Sequence, residues 1–481
     1  MKRPTLLLLF TLCLSGMSAA DARPNILLIS IDDLNDWVGC LAGHPQARTP
    51  NIDALAERGV LFSNAHCQAP VCNPSRASLM TSLYPETSGI YFLDPEISAS
   101  PVAKSAITLP KRFAKEGYHV SGAGKLFHNT ENKRYIDSYA GSFGGFGPMP
   151  EKKISQPHGH LLWDWGSFPD TDETMPDHKI ANWAAKQLAQ LGTDEPFLLA
   201  VGFYRPHVPM FVPQKWYDLH PVDEIQLPKI KEDELADLSD YAINITRLEH
   251  VAPTQEWIES SDEWKHAVQS YLACISFVDS CVGTVIKALD ESPHKDNTII
   301  ALFSDHGFHL GEKERWAKRS LWEDGTRVPV IIAGPDIAGG QVSGKPVGLI
   351  DLYPTLLDLT GSAPDPVHEG HSLAPLLRNP ESEWPHFTRT SFGPGNVAIR
   401  SERFRYIHYF DGSEEFYDHR KDPNEWNNLA RNPEYQASKQ RLASQLPKNF
   451  APLLGADSTG HLSYASSNAA IGRAPEDEEG D

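Results

Sequence analysis

Positive charge is scarce in this chain of 481 residues: 43 Lys and Arg face 63 Asp and Glu, for a formal net charge of −20. That balance excludes a sequence-independent nucleic-acid binder, which must neutralise phosphates with a basic face. A polyanionic ligand would need a local basic pocket instead. Long apolar runs are lacking too. Beyond the first twenty residues no stretch approaches the ~20 uninterrupted apolar residues of a membrane span, so no stable membrane insertion is expected. No internal repeat is visible. With 40% hydrophobic and 22% charged residues, disordered, collagenous and coiled-coil chains are excluded.

Cysteine is also sparse, six in all. Cys13 falls in a leading segment that reads Met1-Lys2-Arg3, an apolar run from Leu6 to Leu14, then Ser18-Ala19-Ala20. Charged, apolar, then small is the order of a secretory signal, which predicts a signal over residues 1–20 and an exported, periplasmic or secreted, mature chain. Leu12 directly before Cys13 fits a lipoprotein cleavage site poorly. The remaining cysteines, Cys40, Cys67, Cys72, Cys274 and Cys281, are odd in number, which points to one with a task other than a disulfide. Cys274 and Cys281 are seven apart in an apparent helix, a rise of roughly 10 Å that puts them beyond disulfide reach. Both read as helix packing.

What the sequence does contain is a series of short apolar runs that stop at polar clusters. Asn25 to Ile31 precedes Asp32-Asp33, and Asn297 to Phe303 precedes Ser304-Asp305-His306. Pro196 to Phe203 precedes Arg205-Pro206-His207, and the shorter Tyr118 to Gly122 runs into Gly124-Lys125. These predict buried parallel strands. Helical patterns such as Asn51 to Arg58 and Trp264 to Leu289 lie between them, so an α/β fold is expected, with a large sheet flanked by helices. Ligands of such sheets sit outside the carboxyl ends of the strands, and here four strand ends carry Asp, His or Lys.

From about Glu383 the texture changes. Asn396 to Arg400 and Phe404 to Phe410 read as short strands joined through the hairpin signal Asp411-Gly412-Ser413, which predicts a small antiparallel appendage. The expected organisation is a signal over 1–20, a catalytic domain over 21–382, a small α+β domain over 383–455 and a disordered acidic tail over 456–481. His158 and His160 lie in a Gly-containing loop and read as solvated.

Pro70 to Thr81 is the most informative segment. Pro74 suits the first turn of a helix, which places Cys72 near a helix N-terminus, where free N–H groups and the dipole attract an anion. Arg76 falls one turn on, on the same face. A cysteine so placed is acidified and reactive, unless it is an ordinary turn residue.

Cys72-Asn73-Pro74-Ser75-Arg76 resembles the C-x-P-S-R signature of the type I sulfatases, whose cysteine is oxidised to formylglycine by a maturation enzyme. The resemblance runs from Pro24-Asn25-Ile26 through Thr49 to Asp53 and on to Glu425-Trp426-Asn427-Asn428-Leu429. Thr81-Ser82-Leu83 departs from the usual Thr-Gly-Arg. Gly124 to His128, Arg205 to Pro209, Ser304 to Gly307 and Trp316-Ala317-Lys318 are similar to the iduronate-2-sulfatase subgroup and its bacterial relatives. The resemblance implies an alkaline-phosphatase-like fold with a large mixed sheet and a smaller C-terminal antiparallel sheet. It also implies a calcium ion held by Asp32, Asp33, Cys72, Asp305 and His306, and a sulfate pocket lined by Arg76, Lys125, His128, His207 and Lys318. The implied partners are a sulfated saccharide and a formylglycine-generating enzyme.

Chemistry favours these residue types. A sulfate ester resists attack because its oxygens are negatively charged, so a hydrolase must neutralise that charge and supply a strong nucleophile. Aspartates suit calcium, a hard cation, whereas His306 is an uncommon calcium ligand and could instead hydrogen-bond the nucleophile. Hydrated formylglycine offers two hydroxyls: one attacks sulfur, and deprotonation of the other lets the carbonyl reform and expel sulfate. By resemblance His128 serves that deprotonation, while His207 or Lys318 protonates the leaving oxygen. The competing readings are a phosphatase or phosphodiesterase, which needs a Ser or Thr nucleophile and a His-rich metal cluster, and a non-catalytic polysaccharide binder. Loops 129–175 and 221–254 are expected to set the substrate, whether a uronic acid 2-O-sulfate or another, for example algal, sulfated sugar.

Overall fold

The structure, a computed structural model, describes residues 23–128, 131–247, 251–456 and 458–471. The signal expected over 1–20 and the acidic run 476–481 lie outside the described residues. Eight strands form the main sheet: β1 (Asn25–Ile31), β2 (Gly59–Phe62), β3 (His119–Gly124), β4 (Ser138–Tyr139), β5 (Phe197–Phe203), β6 (Thr298–Ser304), β7 (Val330–Ala333) and β8 (Gln341–Ser343). Their order is β8-β2-β7-β6-β1-β5-β3-β4. Only β7 runs against its neighbours, so the sheet is mixed with a parallel centre.

The centre is apolar on both faces because helices cover both. Leu27, Ile29 and Ile31 of β1 pack on one side with α1 (Pro50–Arg58), while Ile26 and Leu28 pack on the other with α2 (Cys72–Thr81). The period-two alternation of a strand thus feeds two cores at once. The first face is completed by α3 (Pro176–Gln190) and α4 (Trp264–Asp290). By length and composition α4 could cross a membrane, but its apolar side chains are largely buried inside the fold. Asp279 of α4 caps α1, accepting from the Ile52 amide at 2.8 Å and the Asn51 amide at 3.1 Å. Cys274 and Cys281 are free and buried in this helix, as the spacing predicts.

The small domain is a four-stranded antiparallel sheet of β9 (Thr388–Ser391), β10 (Val397–Arg400), β11 (Phe404–His408) and β12 (Glu414–Asp418). The expected turn at 411–413 does not join the two strands read from the sequence; it leads from β11 into β12, which the sequence reading lacked. Acidic residues hid that strand. Glu415 is nonetheless buried, accepting from Trp322 Nε1 and Tyr417 Oη, both at 2.7 Å. Buried ion pairs to Glu323 seat this sheet on the larger domain, from Arg405 and, at 3.1 Å, from Arg400, while Arg405 is also held at 2.7 Å by Glu425 within the small domain.

The tail expected to be disordered from 456 contains instead a helix, α5 (Thr459–Ile471). Its small residues permit close approach: a Cβ at Gly460 would fall 2.4 Å from Phe92. Tyr464 donates to the Pro394 carbonyl at 2.8 Å and Ser463 to that of Ile245 at 3.1 Å. A composition rich in Ser, Ala and Gly is also what a tightly seated helix uses.

Candidate active site

Parallel pairing brings the predicted strand ends together. Ile31 is in register with both Phe203 and Ser304, and Gly124 with Gly202. The strands therefore release Asp32-Asp33, Asp305-His306, Lys125 and Arg205-Pro206-His207 at one edge. Pairing continues one residue further, with the Asp32 amide on the Phe203 carbonyl and the Asp305 amide on that of Ile31, each at 3.2 Å. Lys125 is launched where β3 and β5 nearly touch: Gly124 has φ 79°, and a Cβ there would stand 1.9 Å from the Gly202 oxygen. Only glycine fits.

Cys72 is the first residue of α2, whose N-cap, Val71, offers no side-chain acceptor. The thiol is buried. Sγ lies 3.1 Å from His306 Nε2 and 3.6 Å from Asp32 Oδ1. Asp33 has φ 62°, a strained conformation, and a carboxylate oxygen of it lies within 4.8 Å of the thiol. Its amide donates to Asp305 Oδ1 at 3.2 Å and its carbonyl accepts from Tyr271 of α4 at 2.7 Å. Ligand atoms of Asp32, Asp33, Cys72 and His207 all lie within 4.8 Å of one another, as do those of Asp32, Cys72, Asp305 and His306.

These donors fit a hard divalent cation, with three carboxylates converging in a buried site. Burial raises the Asp33 pKa against the pull of Lys318 and His306, and the neighbouring Asp32 and Asp305 raise it further, a repulsion that a cation relieves. The Nδ1–H of His306 donates to the Gly307 carbonyl at 3.0 Å, which aims Nε2 at Asp33 Oδ1 (3.3 Å) and Asp305 Oδ1 (3.6 Å). Burial lowers its pKa, but Asp305, Cys72 and Asp33 outweigh that and raise it to about 9. In the unmodified, metal-free chain the imidazolium therefore stabilises the fold fully below about pH 6.5, and that contribution is lost as pH rises through about 9. The melting temperature of the chelated protein is expected to fall between those values, and a bound divalent cation to flatten the slope. A flat profile without metal would contradict this balance.

The cations differ in what they bind. Arg76, expected to face sulfate, is held by the chain itself. Its Nε donates to Asp305 Oδ2 at 2.8 Å, Nη2 reaches Asp32 Oδ1 at 3.4 Å, and Nη1 donates to Ser30 Oγ and the Lys125 carbonyl. A fork so fully spent on carboxylates and carbonyls orients ligands rather than substrate. Lys125 Nζ binds Asp32 Oδ2 at 2.5 Å beneath the Phe146 ring, and Lys318 Nζ bridges both Asp33 oxygens at 2.8 Å. Burial disfavours both ammonium groups, but the adjacent aspartates hold their pKa values above the ordinary range.

His128 and His207 are neutral for the opposite reason. Burial first, then Lys125, lowers the His128 pKa to about 3, and its buried Nδ1 has no partner among the described residues. Burial and Lys318 lower that of His207. Its Nδ1–H donates to the Val208 carbonyl at 2.6 Å, leaving the Nε2 lone pair 3.9 Å from Asp33 Oδ2. His158 and His160 are exposed, as expected.

The sequence reading missed the supports. Asp177, at the start of α3, accepts from the Tyr204 and Arg205 amides at 2.8 and 2.9 Å and so fixes the turn carrying His207. Phe146 lies 4.5 Å from the His207 ring, which brings loop 129–175 to the site. A lone acid opening a helix carries no signal that its targets are amides 27 residues away. Ser82, where the chain departs from the family's usual Thr-Gly-Arg, has φ 53° at the end of α2, and its Oγ donates to the Ile350 carbonyl at 3.0 Å. A serine thus fills a left-handed position that glycine usually takes.

Comparison with known proteins follows the same outline. A family model described as Sulfatase matches residues 24–362, and one described as N-sulphoglucosamine sulphohydrolase, C-terminal, matches 311–451. A protein named Sulfatase from Formosa agariphila is 42% identical over 444 residues, 89% of this chain and 87% of that one. Human iduronate 2-sulfatase is 32% identical over 381 residues, 75% of this chain and 68% of that one. Among solved structures, a putative sulfatase from Bacteroides thetaiotaomicron superposes with a TM-score of 0.68 at 26% identity, covering 88% of this chain and 91% of that one.

Proposed function

Because the chain belongs to the sulfatase family and is a sulfuric ester hydrolase, we propose that its substrate is a sulfated sugar. The preferred ester is a 2-O-sulfate on a uronic acid at a chain end. In this reading Cys72 is matured to formylglycine, and calcium is held by Asp32, Asp33, Asp305, His306 and the matured residue 72. One observation carries it: a helix-opening cysteine, three carboxylates, His207 and His306 converge in a buried cluster, with Lys125 and Lys318 bound to its aspartates. The similarity to human iduronate 2-sulfatase supports the uronate assignment.

Bound calcium supplies a positive charge that screens the sulfate oxygens and favours ionisation of the attacking hydroxyl. Formylglycine supplies, once hydrated, that hydroxyl and a second one whose proton can be withdrawn. The chain's own residues do the rest. Lys125 and Lys318 neutralise sulfate charge as fixed cations, and their raised pKa values make them poor proton donors. His128, with an Nδ1 free among the described residues, is the base in this reading, and the charge of bound sulfate, by offsetting Lys125, raises its basicity from the low value that burial and Lys125 impose. His207 suits the proton donor to the leaving oxygen through Nε2: burial first and then Lys318 depress its pKa, and a bound anion offsets the lysine part and favours its protonated form. The order of residues in the leader supports an exported enzyme. Burial of Cys72 in the finished helix requires the maturation enzyme to act before folding.

A panel of sulfated saccharides of defined linkage, run with aryl sulfate and aryl phosphate before and after chelation, tests this reading. Terminal uronic acid 2-O-sulfates should be turned over fastest, with calcium-dependent rates and negligible phosphate hydrolysis. Preference for 6-O- or N-sulfates, or faster hydrolysis of aryl phosphate, would contradict it.

A further inference from the structure

Among the described residues six arginines are deeply buried, and five have hydrogen-bond or ion-pair partners. Arg76 binds Asp305, Arg205 the carbonyls of Phe211 and Phe146, Arg315 Thr246, Arg400 Glu323, and Arg405 Glu323 and Glu425. Arg319 is the exception. It is only 5% exposed, yet among the described residues its guanidinium has no hydrogen bond and no ion pair. Its amide donates to the Pro70 carbonyl at 3.1 Å, which ties it to the loop two residues before Cys72. It directly follows Lys318, which grips Asp33. The backbone is held in the left-handed region at Ala317 (φ 87°) and again at Arg319 (φ 77°).

The side chain is almost wholly covered, but its guanidinium nitrogens are not among the enclosed unpartnered atoms, so an unpaired cation on strained backbone is presented to a space that a partner from outside the chain can enter. The Pro70 tie and the grip of the preceding Lys318 on Asp33 set Arg319 beside the reacting centre, where burial lowers its pKa to about 10 against the pull of Cys72 and Asp33. Lys125 and Lys318 already serve the sulfate. A planar fork left over beside them matches a planar carboxylate.

We propose that Arg319 is a specificity-determining residue that binds a second anion of the substrate, the carboxylate of the same uronic acid ring whose sulfate faces residue 72. The assignment rests on the uronate reading above and extends it from a linkage to a named contact. Nothing in the sequence pattern distinguished this position from its neighbours.

The test measures kcat and KM for the matured wild type, Arg319→Gln and Arg319→Lys on three substrates. These are a 2-O-sulfated uronic acid, the same sugar with its carboxylate converted to a carboxamide, and an aryl sulfate. Wild type should favour carboxylate over carboxamide at least tenfold. Arg319→Gln should lose about 100-fold in kcat/KM on the uronate, chiefly through KM, and stay within about threefold on the other two. Arg319→Lys should recover part of the loss, since it restores charge without the fork. Removing an unpaired buried charge does not endanger folding, which circular dichroism would check. Equal losses on all three substrates would overturn the proposal by making Arg319 a sulfate ligand, and wild type indifferent to the carboxylate would overturn it as well. Turnover of aryl sulfate with neither sugar cleaved would instead sink the uronate reading, and the carboxylate assignment with it.

Discussion

Replacing Cys72 by Ala is expected to lower sulfate ester hydrolysis by at least about 10⁴-fold, because removing a covalent nucleophile leaves only the contribution of the surrounding charges. The thiol itself makes two polar contacts, to His306 and Asp32, and fills a small buried volume at the start of α2. Loss of activity should therefore come with little change in the far-ultraviolet spectrum. Cys72→Ser separates the two halves of the chemistry. A serine offers one hydroxyl, enough to attack sulfur, but it cannot expel sulfate by reforming a carbonyl. Rapid mixing should then show at most one turnover per chain. Sustained turnover by either variant would show that the helix-opening residue is not the nucleophile.

Lys318→Ala should cost about 10²- to 10³-fold in kcat/KM, the range found when one charged or hydrogen-bonding group is removed from a preorganised anion site. Lys318 Nζ sits 2.8 Å from both oxygens of Asp33, and the side chain is 11% exposed, so the charge is close to the reacting centre and poorly screened. Lys318→Arg should not rescue, because a guanidinium needs more room than an ammonium between strained residues at 317 and 319. Steady-state kinetics on an aryl sulfate, which lacks a carboxylate, reads the sulfate contribution alone. A loss under fivefold would place Lys318 outside the sulfate pocket.

The parallel strands were legible because a strand buried on both faces is a continuous apolar run, and such runs end visibly where the chain turns polar. Asp32, Asp305, Lys125 and His207 could therefore be placed at strand ends before any of their contacts were visible. That they meet follows from register, which depends on pairing between segments more than 200 residues apart, such as Ile31 with Ser304. Legibility failed where burial was concealed by polar composition. Glu415 disguised β12, and the Ser, Ala and Gly of α5 imitated a solvated tail. The nucleophile segment shows both outcomes in one turn of helix. Placing Cys72 and Arg76 on one face needed only helical spacing, but the partners of Arg76 are chosen by tertiary packing, and it turned toward the carboxylates.

The most direct measurement is the mass of the peptide containing Cys72, isolated from chain coexpressed with a formylglycine-generating enzyme and assayed for turnover in the same preparation. The expected result is replacement of the thiol by an aldehyde at residue 72, in proportion to activity across partially converted samples. Full activity from chains whose Cys72 is wholly unmodified would contradict it.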